Sequence, residues 1–78
     1  MKRITIQVSD EIADRLASLA SACTRQNKRR DGATTHGPLD VTALMTMLAE
    51  DAAMVITRPG SWEGSNMAQV FSSHGYEV

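Results

Sequence analysis

Polar and apolar residues alternate strictly over Arg3-Ile4-Thr5-Ile6-Gln7-Val8-Ser9. In an extended strand successive side chains point to opposite faces, so Ile4, Ile6 and Val8 would share one face and Arg3, Thr5 and Gln7 the other. The period changes at Ser9, a favourable N-cap, followed by Asp10 and Glu11 where a helix dipole favours negative charge. Ile12, Leu16, Leu19 and Cys23 then recur at helical spacing, with Ala13 and Ala20 widening the stripe and Asp14, Arg15, Ser18 and Ser21 lying off it. The pattern predicts a short strand and then a helix from about Asp10 to Thr24.

Between Arg25 and Pro38 no period persists. Either the helix runs on through the basic residues until Gly32 stops it, or this is a long exposed loop. Asp40 is placed to cap a second helix whose Val41, Leu44, Met45, Leu48, Ala52, Val55 and Ile56 form a broad apolar face, extended by Met47 and Met54. Thr57-Arg58-Pro59-Gly60 ends it. Met67, Val70 and Phe71 predict a short third helix capped by Ser65 and ending near Gly75. The expected organisation is a core over residues 1–56 and a C-terminal extension over 57–78. A lone strand needs a partner, and the simplest one is the same strand from a second copy.

Composition sharpens this picture. At 78 residues, 42% of them apolar but with one Trp, one Tyr and one Phe, a single chain buries little area and gains from dimerisation. Cys23 is the only cysteine, which excludes an internal disulfide and suits a reducing compartment. The N-terminal residues do not read as a secretory leader, and no apolar run approaches the ~20 residues of a membrane span. A cytoplasmic location without membrane partners is expected. Charge is uneven: residues 1–30 hold seven basic groups against three acids, whereas residues 31–78 hold only Arg58 against six acids. The first part therefore suits a phosphate-facing surface.

Lys2 to Glu11 continuing through Leu16 and Leu19, followed by Leu39-Asp40-Val41-Thr42-Ala43-Leu44 through Leu48 and Glu50, resembles the ribbon-helix-helix (Arc/MetJ/CopG-like) family of DNA-binding proteins. That resemblance implies a mainly α fold with one N-terminal β-strand. Two copies would form a homodimer in which an intermolecular two-stranded antiparallel ribbon lies above four helices, here with a long inter-helix loop. It implies double-stranded DNA as partner, with Arg3, Thr5 and Gln7 in the base-reading positions and the amide at Val41, starting the second helix, on a phosphate. Side-chain chemistry agrees with the base-reading role: Arg grips guanine, Gln grips adenine, and Thr donates, accepts or touches a thymine methyl. Lys2, Arg25, Lys28, Arg29 and Arg30 are candidate phosphate contacts.

Catalysis, metal binding and cofactors are not expected. His36 and His74 have no second ligand at metal spacing, no Ser/His/Asp arrangement is marked, and no glycine-rich phosphate loop occurs. The leading expectation is a homodimeric, sequence-specific DNA-binding protein, a transcriptional repressor or a plasmid or phage accessory regulator. A second reading is an antitoxin whose tail wraps a toxin, with Trp62, Phe71 and Tyr76 as the protein contact. A third is a protein-binding inhibitor of anti-defence type that keeps the dimeric scaffold without DNA binding, favoured by Pro38, Asp40 and the net charge of −1.

Overall fold

Ser9 opens the first helix as its chemistry requires. Its backbone is extended (φ −64°, ψ 158°) and its side chain accepts the Ile12 amide at 3.2 Å, with Asp10 and Glu11 in the first turn. In the computed structural model, which describes all 78 residues, this helix is α1 (Asp10–Arg29); α2 (Val41–Thr57) and α3 (Trp62–Ser73) follow. Two compact units divide the chain, Met1–Thr42 and Ala43–Val78.

The alternating N-terminal segment is not a strand. No residue of the chain adopts one, and residues 1–8 make no backbone hydrogen bond to another segment. Ile4 is 87% exposed, Ile6 62% and Val8 45%, while Arg3, Thr5 and Gln7 are exposed as well. A strand is held by a ladder of hydrogen bonds to a neighbour, and nothing in this chain supplies the second rail. The expected fold class, with its N-terminal strand, two-stranded ribbon and ribbon-helix-helix architecture, is therefore corrected to a small three-helix protein.

In the first unit α1 extends past Thr24 through the basic residues. It closes with the Gly32 amide donating to the Asn27 carbonyl at 2.8 Å and the Asp31 amide to the Lys28 carbonyl at 3.2 Å. This is the paired closure of a Schellman cap, which needs a left-handed residue at its corner; Asp31 takes that place at φ 50°. The segment after the cap is anchored. Thr24 Oγ1 donates to the Leu39 carbonyl at 3.0 Å and accepts the Leu39 amide at 2.9 Å, and Thr34 Oγ1 donates to Asn27 Oδ1. The covered side of α1 passes through Leu16, Ala20, Thr24 and Asn27, with Ala20 only 3% exposed. Ile12 and Leu19, on the expected stripe, remain 48% and 49% exposed.

In the second unit Leu44 is fully buried, and α2 ends at Thr57 ahead of Pro59 and Gly60. α3 starts four residues earlier than its apolar spacing suggests, because Ser61 and not Ser65 caps it. Ser61 Oγ accepts the Gly64 amide at 3.0 Å and donates to the Arg58 carbonyl at 2.7 Å, tying both arms of the corner together. Gly64 is buried there: a Cβ would lie 2.5 Å from the Arg58 oxygen and 2.6 Å from the Met54 oxygen. Gly64, Met67, Ala68 and Phe71 form the covered side of α3, whereas Val70 is 48% exposed and does not join it. α3 ends in the same closure as α1, with Tyr76 N–H donating to the Phe71 carbonyl at 3.0 Å, Gly75 N–H to Ser72 at 2.9 Å, and Gly75 at φ 90°.

Candidate nucleic-acid interface

The basic side chains of the first unit stand on two features. Arg25, Lys28 and Arg29 follow at i, i+3 and i+4 on α1, so they share one side of the helix; Arg30 is its C-cap residue. All four are exposed. Cations at a helix C-terminus are favoured by the dipole, by about 0.3–1 kcal/mol at the surface, which explains their tolerance here without any ligand. No carboxylate forms an ion pair with them. The pair of Arg15 with Glu11 at 3.9 Å lies elsewhere on α1, has both side chains more than three-quarters exposed, and contributes little.

Lys2, Arg3, Thr5 and Gln7 stand on the N-terminal segment, an exposed arm without regular structure. The helix separates these two sets. From Asp10 to Lys28 is eighteen residues of α1, or about 27 Å at the α-helical rise. The expected base contacts Arg3, Thr5 and Gln7, with the phosphate candidate Lys2, therefore precede α1, while the phosphate candidates Arg25, Lys28, Arg29 and Arg30 lie at its other end. Val41 is the first residue of α2 and 37% exposed, directly after Asp40. Pro38, two residues before Asp40, has no amide hydrogen to offer an anion.

Two features escaped the sequence reading. The Thr24–Leu39 clamp makes residues 30–40 an anchored flank of the basic helix end, and its signal was the i+4 spacing of Leu16, Ala20 and Thr24. In the second unit, Phe71, His74, Tyr76 and Val78 line an open hollow of about 440 Å³ whose exposed wall is apolar. Trp62, 77% exposed, and Tyr76, 65% exposed, are accessible on that unit, while Phe71 is half-buried. No three His, Cys, Asp or Glu side chains converge as a metal site, and no helix is long and apolar enough to cross a membrane. No protein-family model, no curated protein and no solved structure matches this chain.

Proposed function

We infer that this chain is a small homodimeric DNA-binding protein that regulates transcription by occupying its site. The observation that carries the reading is the set of exposed cations Lys2, Arg3, Arg25, Lys28, Arg29 and Arg30, none held by an acid. In this mechanism Lys2, Arg25, Lys28, Arg29 and Arg30 displace counterions from phosphates. Arg3, Thr5 and Gln7 read base edges from an extended arm, not from a paired sheet. With the two basic sets about 27 Å apart along α1, one protomer reaches over about eight base pairs at 3.4 Å per step.

Self-association is supported by apolar side chains that water does not reward. Ile4, Ile6, Val8, Ile12 and Leu19 are each between 45% and 87% exposed, and full burial of one such side chain is worth about 1.5–3 kcal/mol. The free Cys23 suits a reducing cytoplasm. Anisotropy titration with mixed-sequence duplex DNA across a salt series tests the reading. Binding that weakens steeply with salt is expected, and Arg3→Ala costs about 1–3 kcal/mol on a selected site while relaxing preference at one base. Absence of binding even at low salt overturns it.

A protein target is the second reading, favoured by the exposure of Trp62 and Tyr76 on a unit that holds one basic residue against four acids. α3 is already capped at both ends, so this surface would meet a toxin or other partner preformed. Binding of that kind would survive Arg3→Ala and change little with salt.

A further inference from the structure

We propose that the N-terminal arm of one copy, residues 2–8, seats its apolar side in the hollow formed by Phe71, His74, Tyr76 and Val78 of a second copy. The proposal rests on the self-association inferred above and names the contact that produces it.

Three observations on separate parts of the molecule lead to this occupant. The arm alternates, so an extended conformation gathers Ile4, Ile6 and Val8 on one side, and those three side chains stay 87%, 62% and 45% exposed. The hollow presents an apolar wall and no convergent polar groups. It therefore suits a row of aliphatic side chains better than a polar small molecule, which needs placed donors and acceptors. Charge is complementary as well: Lys2 and Arg3 lead the arm, and the hollow belongs to a unit with four acids, Glu77 among them, against Arg58 alone. The basic residues of the arm would approach an acidic surface with exposed Trp62 and Tyr76 rings, which also attract cations through their faces.

Much of the receiving surface is preformed: the closure of α3 holds the backbone from Phe71 to Tyr76, since the Tyr76 amide is tied to the Phe71 carbonyl and the Gly75 amide to Ser72. Most of the ordering cost falls on the arm, a short one of about seven residues. Occupation also has a consequence for DNA binding. With Ile4, Ile6 and Val8 facing the hollow, Arg3, Thr5 and Gln7 face away from it in one extended row. Exchange of arms between two copies gives two equal contacts related by a two-fold axis, the usual symmetry of homodimers.

Sedimentation velocity of the full chain without DNA tests the contact, using an arm variant (Ile4→Ser with Ile6→Ser) and a hollow variant (Tyr76→Ser with Val78→Ser). All four positions are more than 60% exposed, so neither variant removes a buried side chain. The wild type is expected to associate at micromolar concentration, and each variant alone to be monomeric. An equimolar mixture of the two is expected to regain association, because one intact arm then meets one intact hollow. A monomeric wild type overturns the self-association reading and this contact with it. A wild type that associates while the hollow variant associates equally well overturns the contact alone and leaves the hollow to another partner. Failure of the mixture to recover, with both single variants monomeric and folded by circular dichroism, also overturns it.

Discussion

The two helix ends at Asp31 and Gly75 share one backbone solution and present opposite chemistry. At each, an amide reaches back to the carbonyl five residues earlier while the amide before it closes a tighter loop inside. The α3 end places glycine at the left-handed corner, φ 90°, and surrounds it with Phe71, His74, Tyr76 and Val78. The α1 end places Asp31 there at φ 50°, directly after a helix end that carries Arg25, Lys28, Arg29 and Arg30. One end is relaxed and apolar; the other carries a strained acid next to cations, with the following segment clamped to the helix at Leu39, eight residues further on. The same hydrogen bonding thus ends one helix beside an apolar hollow and the other beside exposed cations.

Breaking the clamp has the largest expected effect. Thr24→Val keeps the shape but strips both hydrogen bonds from the Leu39 amide and carbonyl, a cost of about 2 kcal/mol at a part-buried site. Urea unfolding should show it, and amide exchange should accelerate over residues 33–39 without change near Gly75. Equal acceleration at both ends would mean that the anchored flank is not an independent feature.

The corner residues come next, with opposite signs. Gly75→Ala forces a side chain into the left-handed region and should destabilise α3 by about 1–2 kcal/mol. Asp31→Gly relieves that strain at α1 and removes an acid from a helix C-terminus, for a net gain of about 0.5–1 kcal/mol after the added freedom of the unfolded chain. Thermal melts of the two variants should therefore shift in opposite directions. A shift downward for both would show that Asp31 serves the α1 end by an interaction beyond its backbone angle.

The smallest stability effect belongs to the charges. Arg29→Ala should change stability by no more than about 0.5 kcal/mol, as for most exposed positions, yet lower the slope of log affinity for DNA against log salt by about 1. An unchanged slope would remove Arg29 from the phosphate contacts and weaken the contrast between the two ends.

Parts of this comparison were legible in the residues alone. Ser9 with Asp10 and Glu11 announced the start of α1, Pro59 and Gly60 the end of α2, and the exposure of the Arg25–Arg30 cations followed from their lack of any apolar period. The N-terminal segment was misread because alternation states which side chains would share a face, not whether a neighbouring backbone exists to hold the strand. Ser61 was passed over for Ser65 because Met67, Val70 and Phe71 drew the helix too far along; only Met67 and Phe71 turn inward, in register with Gly64. Thr24 reads as a polar boundary: its i+4 spacing from Leu16 and Ala20 marks its side of the helix but not its partner Leu39, fifteen positions away. The hollow was invisible for a related reason: the cap, not a period, brings residues 71, 74, 76 and 78 together.

Gly64 bears on how this chain can vary through evolution. Two carbonyl oxygens stand within 2.6 Å of where any Cβ would sit, and both belong to backbone that no rotamer change can move. Ser61, three positions earlier, bonds across the same corner to Arg58 and Gly64. A divergent relative that keeps the α2–α3 corner is thus confined at these positions, while the exposed arm and cationic helix end carry no such backbone constraint. Pro59-Gly60-Ser61 followed at the third residue by Gly64 is accordingly the signature to seek in distant sequences, ahead of the residues that contact a ligand.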